Sequence, residues 1–274
     1  MRKHWANYSF IKKNKTMVQV SENKVVWKTI ETPQFLQIVT ALENAKGTGR
    51  TKMLIGGPGI GKTYAINKFC NRHKTHTYRI TVSNEHKLED IIDELLTLLG
   101  FNFSPLIGIR MRGYSKKIRI DKIAERLVEI KQNGGKPILI FDEGENMNMA
   151  VLKTIKGLYD RLESHCSIVL IGTERLVERI LNVKEGRKGR DRESLPELYS
   201  RFKAGLRYIK PVTPDLFKPF LDSYVNDLGL RKLISTSLTS YRDLHDHLEP
   251  VMVEANETGK PLSEQLYRMF HELM

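Results

Sequence analysis

The segment Gly56-Gly57-Pro58-Gly59-Ile60-Gly61-Lys62-Thr63, set between an apolar run and a helical stretch, restricts the folding of this chain more than any other part of it. Four glycines in eight residues allow left-handed backbone and close approach to a ligand, which side chains at those positions would forbid. Met53-Leu54-Ile55 reads as a buried strand entering the turn, and Tyr64-Ala65-Ile66-Asn67-Lys68-Phe69 continues from it as a helix. Such a unit turns successive N–H groups inward toward an anion and adds the partial positive charge of a helix N-terminus. The expected ligand is a nucleoside triphosphate. Gly57, Pro58, Gly59, Ile60 and Gly61 would wrap its phosphates, Lys62 would reach the β- and γ-phosphates, Thr63 would bind Mg²⁺ through its hydroxyl, and Tyr64 would follow in the first helical turn. An ordinary glycine-rich turn is the plain alternative, and the strand before and helix after argue against it.

The rest of the chain alternates in the same way. Thr32 as N-cap and Pro33 at the first helical position open a helix with Phe35, Leu36, Ile38, Val39 and Leu42 on one face, ended by Gly47 and Gly49. Strands are expected at Lys52–Ile55, Thr77–Val82, Pro137–Phe141 and Ser167–Ile171, with helices at Lys62–His73, Leu88–Leu99, Ile120–Gln132 and 149–163. Strands that are continuous apolar runs separated by helices predict a parallel sheet covered on both faces, an αβα sandwich. After about Val212 the strands stop. Thr213-Pro214-Asp215 opens a helix, Leu233–Leu238 reads as a short one, Ser240 caps a longer one through Ala255 that Pro250 should kink, and Pro261 starts a last one through Leu273. The expected organisation is a basic arm over 1–30, a nucleotide-binding α/β domain over 31–212 and a small C-terminal helical lid over 213–274.

A triphosphate site needs a second half on another strand end. Pro137-Ile138-Leu139-Ile140-Phe141-Asp142-Glu143 supplies an apolar strand ending in two carboxylates, costly to bury unless they meet a cation. Asp142 is expected at the Mg²⁺, and Glu143 as the group that orients and polarises an attacking water. A third strand runs into Gly172-Thr173-Glu174-Arg175, which makes Thr173 the candidate sensor beside the γ-phosphate.

The order of these motifs resembles the AAA+ ATPases, in particular the DNA-transposition branch that holds phage Mu protein B, TnsC and IstB. The resemblance covers roughly residues 32 to 274. It rests on the glycine loop, Ile140-Phe141-Asp142-Glu143, the run Ile168 to Leu176, and Glu197-Leu198-Tyr199-Ser200-Arg201-Phe202. It implies that Arg201 is an arginine finger acting in trans on a neighbouring subunit's ATP. It also implies that Arg242, in Tyr241-Arg242-Asp243-Leu244, is a second sensor toward the chain's own γ-phosphate. Departures exist: Gly144-Glu145-Asn146 follows the acidic pair where relatives more often carry an alanine, and the arm before residue 32 is too short for the larger N-terminal DNA-binding domain of Mu protein B.

Lys and Arg outnumber Asp and Glu by 45 to 32, a net charge of +13, which favours a polyanionic partner. The charge is clustered. Arg110, Arg112, Lys116, Lys117 and Arg119 fall in a stretch read as a loop before helix 120–132, with Lys87 as companion; others are Lys184 to Arg192 and Arg2 to Lys15. The family implies that the first cluster grips the backbone of double-stranded DNA. No sequence-reading helix is evident, so binding should be non-specific and salt-sensitive. Cys70 and Cys166 have no metal-like spacing and read as core residues of a reducing compartment. No apolar run is long enough to span a bilayer and no signal peptide is evident, so the cytoplasm is expected.

The leading functional expectation is an ATP-dependent DNA-binding ATPase that oligomerises on target DNA and recruits or activates a transposase. A replication-type helicase loader or initiator shares every nucleotide motif. A P-loop kinase for a small metabolite and a nucleotide-gated scaffold are further alternatives.

Overall fold

The structure is a computed structural model that describes residues 20–21, 24–25, 27–101, 114–181 and 195–273. The chain divides into two compact units. The larger comprises Gln34–Pro58 and Lys62–Lys210; the smaller comprises Gly59–Gly61, Pro211–Met274 and the described part of Met1–Pro33. Among the described residues, no helix is long and apolar enough to cross a membrane.

In the smaller unit, β1 (Val20–Ser21) and β2 (Lys24–Val25) pair antiparallel. The larger unit then runs α1 (Pro33–Thr48), β3 (Lys52–Ile55), α2 (Lys62–Arg72), β4 (Thr77–Thr81), α3 (Leu88–Leu98), α4 (Lys116–Gln132), β5 (Ile138–Asp142), α5 (Met149–Leu162), β6 (Ser167–Gly172), α6 (Glu174–Leu181), α7 (Leu195–Phe202) and β7 (Leu206–Tyr208). The sheet order is β4-β5-β6-β3-β7, and every pairing is parallel. This is the parallel αβα architecture that the alternation predicts. β5 and β6 are buried at every position, as their unbroken apolar sequences require of central strands. On the helices, the apolar residues repeat at helical spacing and turn inward: Ile91, Ile92, Leu95 and Leu96 on α3, and Val151, Leu152, Ile155, Leu158 and Leu162 on α5.

Several boundaries differ from the sequence expectation, each for a local reason. Helix α4 starts at Lys116 rather than Ile120, because the Ser115 hydroxyl accepts the Ile118 N–H at 3.4 Å and caps an earlier turn. The edge strand β7 was not anticipated; it is three residues long and only partly covered, so it lacks the apolar run that marks a central strand. Its outer edge is closed instead by α1, where Gln37 donates to the Tyr208 carbonyl at 2.9 Å and accepts the Lys210 N–H at 3.4 Å.

The helical part of the smaller unit is α8 (Lys218–Tyr224), preceded by a 3₁₀ turn at Pro214–Phe217, then α9 (Leu228–Ser237), α10 (Tyr241–Thr258) and α11 (Glu264–Phe270). It has its own core of Phe217, Leu221, Leu230, Ile234, Leu248 and Val251, with Trp27 and Ile30 packed against it. Asp227, Ser240 and Ser263 cap α9, α10 and α11 through their side-chain oxygens. Asp227 explains why α9 begins five residues before Leu233, and Ser263 why the last helix begins at Glu264 rather than at Pro261. Pro250 lies inside one continuous α10.

At the opposite end of the sheet from the glycine loop, the α1 residue Lys46 holds the chain where it enters β4 and β5. Its ammonium donates to the carbonyls of Thr75 (2.8 Å), His76 (3.3 Å) and Lys136 (2.9 Å) and to Thr77 Oγ1 (3.0 Å). Burial pushes its pKa down, so the charge is kept at some desolvation cost for these four acceptors. Lys46→Met retains the stem and removes the donors; it is expected to lower stability by about 1–3 kcal/mol in chemical unfolding, the range for hydrogen bonds to a charged group. Cys166 is buried and its thiol is pushed up to about 12 by desolvation, so iodoacetamide at neutral pH should label it only after unfolding.

Candidate nucleotide site

Parallel pairing brings three strand ends to one edge of the larger unit. β3 lies beside β6 and β6 beside β5, so the turn after Ile55, the residue after Gly172 and the acidic end of β5 are neighbours. The ladder extends past the strands through Gly56 N–H to the Gly172 carbonyl (3.0 Å) and Val82 N–H to the Asp142 carbonyl (3.0 Å). Ligands in open α/β folds bind at this carboxyl edge.

The glycine turn has the backbone its composition demands. Gly59 and Gly61 have φ of +72° and +87°, values that L side chains rarely adopt. Around Gly61 there is open space where a Cβ would stand. At Gly59 there is none: within the smaller unit a Cβ would stand 2.5 Å from Ser240 Oγ, and the Arg242 N–H donates to the Gly59 carbonyl at 3.2 Å. Lys62, at the start of α2, folds its ammonium onto the carbonyls of Gly56 (2.8 Å) and Gly57 (2.7 Å). Tyr64 is exposed beside it on α2, 6.2 Å from the Phe35 ring between centroids.

Asp142 is completely buried. Its Oδ2 accepts the Thr63 hydroxyl at 3.2 Å and an Arg79 guanidinium N–H at 2.8 Å, while Oδ1 accepts the Glu143 N–H at 3.0 Å. Glu143 is exposed and sits in the left-handed region at φ 55°, strain of about 1–2 kcal/mol for a residue with a Cβ. The 3₁₀ turn Gly144–Asn146 that follows carries residues to which the sequence assigns no role. Asn146 Nδ2 donates to Glu143 Oε2 (3.2 Å) and to the Val82 carbonyl (2.9 Å), fixing the strained glutamate to the sheet. Glu145 accepts the Thr173 N–H at 3.2 Å. A Cβ at Gly144 would press on Leu176 and the Ile171 carbonyl. Among the described residues, Thr173 Oγ1 is one of the few buried polar atoms without a hydrogen-bond partner.

These features fit a magnesium–nucleoside triphosphate. The glycine turn leaves room at Gly61, the helix N-terminus of α2 faces it, and a hydroxyl and a carboxylate share one oxygen at the strand end. The Thr173 hydroxyl awaits an acceptor or donor. Sequence reasoning missed Arg79, although an arginine in the middle of the run Thr77–Val82 is a visible anomaly. Asn146 and Glu145 could have been noticed only as polar residues one turn from the acidic pair.

The remaining expected residues lie elsewhere. Arg201, on α7, donates to Asp160 Oδ1 (2.7 Å) and to the Glu197 carbonyl (3.2 Å), and lies 5.7 Å from the Tyr159 ring centroid. Its hydrogen bond to Asp160 raises its pKa. Arg242 is exposed in the first turn of α10. Of the basic cluster, Lys87 at the start of α3 and Lys116 and Lys117 in the first turn of α4 are exposed. Arg119 corrects the sequence expectation of a DNA-gripping loop residue. It lies on α4, is buried, and pairs with Glu89 and with Asp93 Oδ1 (2.5 Å), so its charge is already matched inside the fold. Arg110 and Arg112, the cluster from Lys184 to Arg192 and the arm from Arg2 to Lys15 lie outside the described residues.

A family profile described as an AAA domain matches residues 45–180. The chain is 27% identical over 167 residues to the Mu-like prophage FluMu DNA transposition protein B of Haemophilus influenzae, covering 61% of this chain and 53% of that protein. It thus spans about half the length of that relative. It is 24% identical over 250 residues to the ATP-dependent target DNA activators B of Escherichia phages D108 and Mu, covering 89% of this chain and 73% of each. Among solved structures it resembles the Aeropyrum pernix ORC1 protein in complex with DNA (15% identity, TM-score 0.54, covering 87% of this chain and 64% of that one). It also resembles the replication initiator DnaA bound to AMPPCP and single-stranded DNA (14% identity, TM-score 0.52, covering 90% and 67%). These two likenesses concern the fold. The stretch that matches the AAA domain holds the glycine turn, Asp142, Glu143 and Thr173, and the chain is similar to the DNA transposition proteins B of Mu-like phages.

Proposed function

We propose that the chain binds and hydrolyses ATP with Mg²⁺, assembles with further copies of itself on double-stranded DNA, and in that state activates a transposase. The observation that carries this reading is the similarity to the target DNA activators B across 89% of the chain, with the glycine turn, Asp142, Glu143 and Thr173 at one sheet edge. In this reading the arm is 1–30, the nucleotide-binding domain 31–212 and the lid 213–274.

Bound Mg²⁺ would supply positive charge to the β- and γ-phosphates, held by Thr63 and Asp142. Gly57 to Thr63 give backbone N–H donors to the phosphates, and Lys62 exchanges its two carbonyl acceptors for phosphate oxygens. Glu143 takes a proton from the attacking water. Asn146 already occupies Oε2, which leaves Oε1 for that water. Water oxygen bonds to the γ-phosphorus, the bond to the β-phosphate oxygen breaks, and ADP and phosphate leave with the proton returned to solvent. Thr173 hydrogen-bonds the water or the γ-phosphate through its unpartnered hydroxyl. Arg242 reads the γ-phosphate of its own subunit, and Arg201 leaves Asp160 to stabilise charge on a neighbour's phosphoryl group, which ties assembly to ATP.

Lys87, Lys116 and Lys117 contact phosphates of the duplex, together with Arg110 and Arg112. Two lysines in the first turn of α4 oppose the helix dipole, an arrangement that favours a bound external anion over helix stability. Among the described residues, neither ammonium is paired with a carboxylate.

The decisive measurement is the size of the complex formed with duplex DNA and a non-hydrolysable ATP analogue. A chain that stays monomeric with both present sinks the assembly. Lys62→Ala is expected to lose nucleotide retention, whereas Glu143→Gln should keep ATP and lose hydrolysis by roughly 10²–10⁴-fold in steady-state phosphate release. Lys116→Gln combined with Lys117→Gln should weaken DNA binding uniformly across sequences and reduce the slope of log affinity against log salt by about 2.

A further inference from the structure

Neither the glycine turn nor the acidic pair accounts for Arg79. It lies at the middle of β4, opposite Ile140 of the buried strand β5. One guanidinium nitrogen donates to Asp142 Oδ2 at 2.8 Å and another to Asn67 Oδ1 on α2. The side chain is 19% exposed and the carboxylate not at all, and Arg79 Nε is buried without a partner. The oxygen that Arg79 holds is the same one that receives the Thr63 hydroxyl. A cation held by Thr63 and Asp142 would therefore meet a carboxylate whose charge a guanidinium already faces.

We infer that Arg79 is a positioning residue that serves as the resident counter-charge of Asp142 and sets how much Mg²⁺ the site requires. This rests on the nucleotide-and-magnesium reading above. Removed from water, Asp142 needs a compensating positive charge whether or not a metal is present. Arg79 provides it, and in doing so fixes the carboxylate beside Thr63. The same attraction would oppose Mg²⁺, because the metal and the guanidinium would compete for the negative charge of one buried carboxylate and repel each other. Asn67 anchors the guanidinium to α2, the helix that begins with Lys62, so the metal's arrival is felt at both sides of the turn.

The test is equilibrium binding of a fluorescent ATP analogue to the full chain and to Arg79→Gln over a Mg²⁺ series and in EDTA. The Mg²⁺ concentration for half-maximal binding should fall roughly tenfold in Arg79→Gln, within the usual range for coupled sites. Arg79→Lys keeps a point charge without the two-armed fork and should fall between the two. In EDTA the three proteins should bind the analogue alike, since Arg79 touches Asp142 rather than nucleotide. The metal-free Arg79→Gln protein should melt lower than the parent and regain more on adding Mg²⁺ with nucleotide. An unchanged Mg²⁺ dependence in a folded variant overturns the inference. So does an equal loss of affinity with and without Mg²⁺, which would make Arg79 a direct nucleotide ligand. If Arg79→Gln fails to fold, Arg79→Lys decides between the same outcomes. A parent chain that binds no nucleotide sinks the reading of the site together with this inference, whereas a parent that binds while the variants match its Mg²⁺ dependence sinks the inference alone.

Discussion

A carboxylate with no exposure stands at the end of a strand that is buried along its whole length, and the rest of the site follows from how that charge is accommodated. Taking Asp142 out of water costs several kcal/mol unless it is paired and hydrogen-bonded. A hydroxyl from the helix after β3, an N–H from the next residue and an arginine from the adjacent strand all converge on it. Those groups come from separate stretches of chain, so the carboxylate can be satisfied only when β3, β4 and β5 are in register. The register in turn sets the glycine turn beside the strand end where a triphosphate and its metal can be held.

Strain is concentrated at the next residue. Glu143 is held in the left-handed region, and Asn146 joins its side chain to the backbone beyond β4. A glutamate in relaxed backbone would sample several rotamers over the sheet edge. Here the tight turn and the amide restrict it, which would suit the proposed task of placing one water. Gly144 and Gly172 permit this crowding, because side chains at either position would press on Leu176, and at Gly172 also on Glu145.

What the sequence made legible was decided by how strongly burial writes itself into a short window. β5 and β6 are surrounded on both faces, so Ile138-Leu139-Ile140-Phe141 and Ile168-Val169-Leu170-Ile171 could only be central strands. The glycine turn was legible because left-handed φ at Gly59 and Gly61 excludes other residues. β7 was not, since a three-residue edge strand is stabilised by Gln37 of a distant helix rather than by its own pattern. Arg119 was misjudged because charge alone cannot reveal a partner thirty residues away; only the packing of α3 against α4 brings Glu89 and Asp93 to it. The roles of Arg79 and Asn146 were illegible for the same reason: their meaning lies in what the parallel register sets beside them.

Lys62 already spends its ammonium on the carbonyls of Gly56 and Gly57. For Lys62, filling the turn would therefore be a swap of acceptors, two carbonyl oxygens given up for phosphate oxygens. A swap of that kind would temper what the lysine adds to binding and leave the emptied turn self-supporting, since the lysine would return to the carbonyls it left. On the proposed function, turnover would be helped on both counts: the spent nucleotide would face a ready competitor, and the loop would keep its shape between occupants.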